Sequence, residues 1–143
     1  QPQDSVMFQV WHTLPQPADE ADLLARWGKL RELRGEVTKA MEEQRIAGII
    51  GSSLQAEVEL HASGDKYALL QALGEDLKFV LICSKVTVVE LGSEQLIVRA
   101  VPHQKCERCW HVRKDVGADA EHEGLCGRCV SNLHGAGEVR SHA

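Results

Sequence analysis

The chain has 143 residues, 43% of them hydrophobic and 26% charged, with a formal net charge of −5. That size allows one modest core or two small ones. No apolar run approaches the ~18 residues of a membrane helix, and the acidic balance argues against a broadly basic nucleic-acid binder while leaving room for a local basic stripe.

The opening Gln1-Pro2-Gln3-Asp4 has neither a basic n-region nor an apolar h-region, so it does not read as a signal peptide. It also lacks an initiator Met, as expected of a segment cut from a longer chain. A first segment runs from about Ser5 to Ile50. In it, Val6-Met7-Phe8-Gln9-Val10-Trp11 is apolar and reads as extended chain or a docked loop. Pro15 and Pro17 break any element there, and Asp19 and Asp22 stand where they can cap a helix. The periodicity then predicts a helix from Ala21 to about Ala47. Leu23, Trp27, Leu30, Leu33, Val37, Met41 and Gln44 fall on one face at spacings of three and four. Gly48 and Gly51 are its stop signals, and Gly28 and Gly35 weaken it slightly.

The second segment runs from about Ser53 to Pro102. Leu54, Ala56, Val58, Leu60 and Ala62 alternate with polar residues, the pattern of a half-buried strand. Asp65 opens a short helix ending near Gly74. The continuous apolar run Phe79-Val80-Leu81-Ile82-Cys83 is expected to be a central strand, with Cys83 a buried thiol. Val86 to Leu91 and Leu96 to Val101 read as two further strands joined by a hairpin around Ser93. The order strand, helix, three strands predicts a small mixed α/β layer.

The third segment, His103 to Ala143, is rich in Cys, His and Gly and poor in large apolar residues, so burial alone does not fold it. It holds six Lys/Arg and six Asp/Glu, which puts the acidic excess upstream. Of the five cysteines in the chain, four form two C-x2-C pairs, Cys106/Cys109 and Cys126/Cys129, with 16 residues between them. This is zinc spacing, and the clustering favours a reducing cytosol over a secreted disulfide scaffold. Each pair points two thiolates at one ion, and the stretch between has room for a hairpin turning at Gly117 and Gly124. Four thiolates leave no open position, so the metal is structural, and its binding energy becomes folding energy. The competing readings are two disulfides, a redox pair, an iron centre, or replacement of one thiolate by His111, His122 or His134. Arg108 and Arg128 each stand third in a knuckle. They either offset the negative charge of the thiolates or reach a phosphate or base. Trp110 either covers the metal or offers a stacking platform for an unpaired base.

The tail Lys105-Cys106-Glu107-Arg108-Cys109-Trp110-His111, with Cys126-Gly127-Arg128-Cys129-Val130-Ser131-Asn132, resembles the C-terminal end of bacterial isoleucyl-tRNA synthetases. Upstream, Trp27 to Arg45 looks like the last helix of that family's anticodon-binding domain. Ile50 to Ala56 and Leu77 to Leu81 look like the strands that follow. The likeness thus covers nearly the whole chain. It implies an α+β fold of a long helix, a small mixed α/β layer and a four-cysteine zinc ribbon. The expected division is 1–52 as the end of the helical anticodon-binding domain, 53–102 as a small α/β junction domain and 103–143 as the zinc-binding, tRNA-contacting module. The parent enzyme is a cytoplasmic class I ligase that joins isoleucine to its tRNA using ATP. Its HIGH and KMSKS signatures are absent here, so ATP belongs to a catalytic part outside this chain. The resemblance further implies one structural Zn2+ on Cys106, Cys109, Cys126 and Cys129, and tRNA(Ile) and the rest of the synthetase as partners. It implies a monomer with no membrane attachment and no catalytic residue in this chain.

Arg108 and Trp110 match the family's tRNA-contacting positions, with Arg128 the less secure addition. On the helix, Arg31, Arg34, Thr38 and Arg45 share one flank, and Glu32, Glu36 and Glu43 another. That basic flank is either a solvated, salt-bridged surface or a stripe for tRNA phosphates. Two other functions fit a four-cysteine tail. One is the finger of a DNA-repair glycosylase, which the α/β segment suits poorly. The other is a protein-interaction ribbon without nucleic acid.

Overall fold

Helix α1 spans Glu20–Ile46 in a computed structural model that describes residues 6–139. Gln1 to Ser5, including the opening read above as no signal peptide, and residues 140–143 of the third segment lie outside that range. Leu30, Leu33, Val37 and Met41 are buried along α1, and Leu23, Trp27 and Gln44 are half-buried on the same side, as the periodicity predicts. Asp19 takes the N-cap position, but its side chain makes no capping hydrogen bond. Glu20 and Asp22 in the first turn instead favour the helix through its dipole. At the other end Gly48 adopts φ +73°, and the Ile49 and Gly48 N–H groups donate to the Gln44 and Arg45 carbonyls, both at 3.0 Å. This Schellman closure needs a left-handed residue, which glycine supplies without a Cβ clash. Ahead of α1, Val6–Phe8 forms a short 3-10 turn, and Val10 and Trp11 are more than nine-tenths exposed. From Met7 to Trp11 the side chains are exposed, so among the described residues this apolar segment is neither a strand nor a buried loop.

Strand β1, Ala56–Ala62, buries every second residue, as its alternation predicts. Helix α2, Gly64–Leu73, follows, and then the structure departs from the expected strand. Residues Leu77–Leu81 form a short helix, α3, that buries Leu77 and Leu81. A continuous apolar run has no period that separates strand from buried helix. Strand β2, Lys85–Glu90, lies parallel to β1, and a parallel pair needs a crossover. Helices α2 and α3 supply it. Ile82 ends α3 in the left-handed region at φ +55°, and the Cys83 N–H donates to the Lys78 carbonyl at 3.0 Å. Cys83 is therefore a buried thiol in the turn entering β2 and not in a strand.

The expected hairpin is also absent. Strand β3, Gln95–Ala100, pairs antiparallel with β1, giving the order β2-β1-β3. Leu91 still donates to the Ala62 carbonyl at 3.0 Å, after which the chain crosses the end of β1 to the far edge. With β1 in the centre, its backbone groups are paired on both sides and only the outer strands keep open edges. Val58 faces Val86 on one side and Val98 on the other, and Leu60 faces Val88 and Leu96. These rows close over Leu70, Leu77, Leu81 and the inner face of α1, so the long helix and the sheet share one core. Full burial of each such aliphatic side chain is worth roughly 1.5–3 kcal/mol.

A second, smaller cluster gathers Cys106, Cys126 and Cys129 with Cys109, Val116 and Leu125 around them. The ribbon strands here are β4, Gln104–Lys105, and β5, Val112–Arg113, paired antiparallel. The hairpin therefore wraps the first cysteine pair. The stretch between the two pairs holds only β5 of that hairpin, and from Lys114 to Leu125 it is turns and bends, with Gly117 at φ +80°. Helix α4, Gly127–His134, starts inside the second pair.

Candidate metal centre

Local backbone geometry brings the four sulfurs together. The Cys106 N–H donates to the His111 carbonyl and the Trp110 N–H to the Cys106 carbonyl, both at 2.9 Å, which curls the first knuckle. That curl holds Trp110 at φ +65°. A bulky residue in the left-handed region costs roughly 1–2 kcal/mol. The second knuckle forms because Cys126 is extended while Gly127 begins α4, so Cys129 falls on the first helical turn. All four Sγ atoms lie within 4.8 Å of one another, and Cys109 Sγ is 3.8 Å from Cys126 Sγ. A tetrahedral zinc–thiolate centre has sulfur–sulfur edges of about 3.8 Å, so the cage fits this ion.

Electrostatics points the same way. Burial pushes the Cys109 thiol up to about 12 and raises Cys126 as well. Cys106 is pulled down to about 6 against its own burial, because backbone N–H groups of Cys109, Cys126 and Arg108 point at its sulfur. The protein alone thus stabilises a thiolate at Cys106, whereas Cys109 and Cys126 need a cation before they ionise. Backbone and side-chain donors add to the cage. Cys126 N–H donates to Cys106 Sγ at 3.4 Å, and Arg108 Nη1 to Cys129 Sγ at 3.7 Å. Cys83 plays no part: it is fully buried elsewhere, and burial pushes its thiol up to about 12.

Among the described residues no histidine belongs to the cage. His111 is buried, its Nδ1 3.2 Å from the Cys109 carbonyl and its ring edge-on to Phe79 at 5.7 Å. Burial lowers its pKa, keeping the ring neutral. His122 and His134 stack on each other, with centroids 4.0 Å apart. Asp115 ties the ribbon to α4: it accepts from Arg113 Nε at 2.8 Å and from the Gly127 N–H at 3.1 Å.

The cationic residues named from the sequence fall in different settings. Arg108 is exposed beside the sulfurs. Trp110 is 61% exposed, so most of its side chain faces solvent. Arg128 pairs with Glu138 at 2.6 Å and lies 4.9 Å over the Phe79 ring. Arg31 and Arg34 are exposed on α1, whereas Arg45 makes two bonds to Glu42 at 2.6 and 2.8 Å. Sequence reasoning missed Lys105, whose Nζ lies 5.5 Å over the Trp110 ring. Its place next to Cys106 in a five-residue curl is the signal that points to it.

Residues 104–132 match the model of a zinc finger found in FPG and IleRS, so the cage is a structural zinc site of that class. Over nearly its whole length the chain belongs with isoleucine–tRNA ligases and corresponds to their C-terminal region. It is 63% identical over 137 residues to the isoleucine–tRNA ligase of Dechloromonas aromatica, covering 96% of this chain. The corresponding figures are 56% over 142 residues for the enzyme of a Janthinobacterium strain and 54% over 143 for that of Burkholderia cenocepacia. The chain spans about 15% of the length of these relatives. The finger alone is common to both groups in its description, and the whole-chain likeness favours the ligases over a glycosylase tail. Among the described residues no helix is long and apolar enough to cross a membrane.

Proposed function

We propose that this chain is the tRNA-handling part of an isoleucine–tRNA ligase and does no chemistry of its own. The whole enzyme joins isoleucine to tRNA(Ile) with ATP, and works as a cytoplasmic monomer. Within the chain, residues 1–52 end the anticodon-binding domain, 53–102 link it to the tail, and 103–143 contact the anticodon region. The observation that carries this reading is Trp110. A closed thiolate cage offers no reactive position, yet it holds a large aromatic side chain 61% exposed on a left-handed backbone. Lys105 backs one side of the indole, and Arg108 stands on the same knuckle. An exposed ring beside cations suits stacking of an unpaired base and pairing with its phosphate.

Arg31 and Arg34 are the best placed of the helix cations for phosphates. Arg45 and Arg128 must each exchange a carboxylate partner, Glu42 or Glu138, to reach RNA. Replacing Arg108 or Trp110 by Ala is expected to weaken tRNA(Ile) binding, by about 1–3 kcal/mol for the lost stack, with zinc still bound. Unchanged affinity in both variants overturns the reading.

A further inference from the structure

Arg108 and Trp110 are useful only if the knuckle that bears them faces a fixed way, and the zinc cage does not set that direction by itself. The cage orders residues relative to the ion. How the module sits on the rest of the chain depends on contacts with the α/β layer. Phe79 and Ser84 of that layer make such contacts. Phe79 projects from α3 and receives the edge of the His111 ring at 5.7 Å and the Arg128 guanidinium at 4.9 Å. Ser84, buried at the entrance to β2, accepts the Val112 N–H at 2.7 Å and donates to the Leu54 carbonyl.

These contacts catch the module on both knuckles. His111 and Val112 follow Trp110 directly, and Arg128 lies in the second pair. His111 is held in turn by the Cys109 carbonyl, and Arg128 by Glu138. Behind Phe79, Leu77 and Leu81 of α3 pack into the core that α1 shares. A continuous path of packed groups thus runs from α1, with Arg31 and Arg34, through α3 to the knuckle of Arg108 and Trp110.

We infer that Phe79 and Ser84 are positioning residues for RNA binding, forming a seat that fixes the zinc module against the α/β layer. The inference rests on the tRNA reading above. Two contact surfaces on one rigid body bind one RNA as a single bivalent site, because engaging the first presents the second at high effective concentration. A module that swivels on its tether loses that advantage while keeping its metal.

The test uses the zinc-loaded chain and a tRNA(Ile) transcript, with Phe79→Ala, Phe79→Leu, Phe79→Tyr and Arg108→Ala measured side by side for zinc content and affinity. Phe79→Ala and Phe79→Leu are expected to retain the ion and bind about tenfold more weakly. Phe79→Tyr keeps the aromatic face and is expected to restore binding, which recovery of bulk alone, as in Phe79→Leu, does not. Should Phe79→Ala lose zinc, Phe79→Leu, which preserves apolar volume, decides. Wild-type affinity in the zinc-loaded Phe79 variants, while Arg108→Ala weakens binding, overturns the seat alone. Wild-type affinity in all of them, Arg108→Ala included, overturns the tRNA reading and the seat with it.

Discussion

The α/β layer and the cysteine module solve the same problem with opposite means. In the layer, α1, α2, α3 and three strands bury a shared set of Leu, Val, Ile and Ala side chains, and the ordering entropy is offset by apolar burial. In the module the buried cluster is almost entirely sulfur, with Val116 and Leu125 as its main apolar company. Its short elements have too little surface to bury, so a metal must do what the core does next door. The contrast teaches that a domain boundary can be a change in the source of stability, and not only a gap in contacts. Here the two regions also touch, through Phe79 and Ser84.

Removing the metal gives the largest expected effect and the most direct attack on this comparison. Chelation withdraws binding energy of order 10 kcal/mol. The amides of β4, β5 and α4 are expected to lose hydrogen-exchange protection while those of β1 keep it. Collapse of both regions together would break the contrast and make them one cooperative unit. Next in size is Leu81→Ala, which empties a position 1% exposed in the layer. It is expected to cost roughly 2–5 kcal/mol, read as a lower denaturant midpoint for the sheet with zinc retained. Zinc loss at the same denaturant concentration would blur the line between regions.

The smallest effect is expected at Asp115, which bonds Arg113 and the start of α4. The Arg113 guanidinium holds its carboxyl below the usual carboxylate range. A depressed folded value means the stabilisation is present above the unfolded value of about 4 and is lost as pH falls through the folded one. Asp115→Asn should therefore lower module stability by about 1–2 kcal/mol at neutral pH. The gap from wild type should close in acid, as followed by parallel unfolding curves across pH. A gap that does not change with pH would remove the charge from the explanation.

What was legible in the sequence was local. The buried face of α1, the alternation of β1 and the paired cysteines all repeat at spacings that backbone geometry imposes. The misread parts depend on the rest of the fold. Nothing within Phe79 to Cys83 reveals that β1 and β2 run parallel and need this run as part of their crossover. The turn at Gly92 and Ser93 does not announce that the chain must pass β1 to find its partner. At the site, spacing identified the cage, and charge beside an aromatic residue singled out Arg108 and Trp110. The seat stayed hidden because Phe79 looked like an apolar core residue and Ser84 like any small polar one. Their roles exist only once a separate module lies on them.

The position of that seat along the chain has a consequence for how the molecule is made. Phe79, Ser84 and Leu54 all precede Cys106, and so do all three strands of the sheet. Because synthesis runs from the N-terminus and upstream units fold first, a growing chain presents the finished receiving surface before its first zinc ligand emerges. The late-arriving thiols then search for their geometry beside a template, and the ion captures a knuckle already turned toward its working direction.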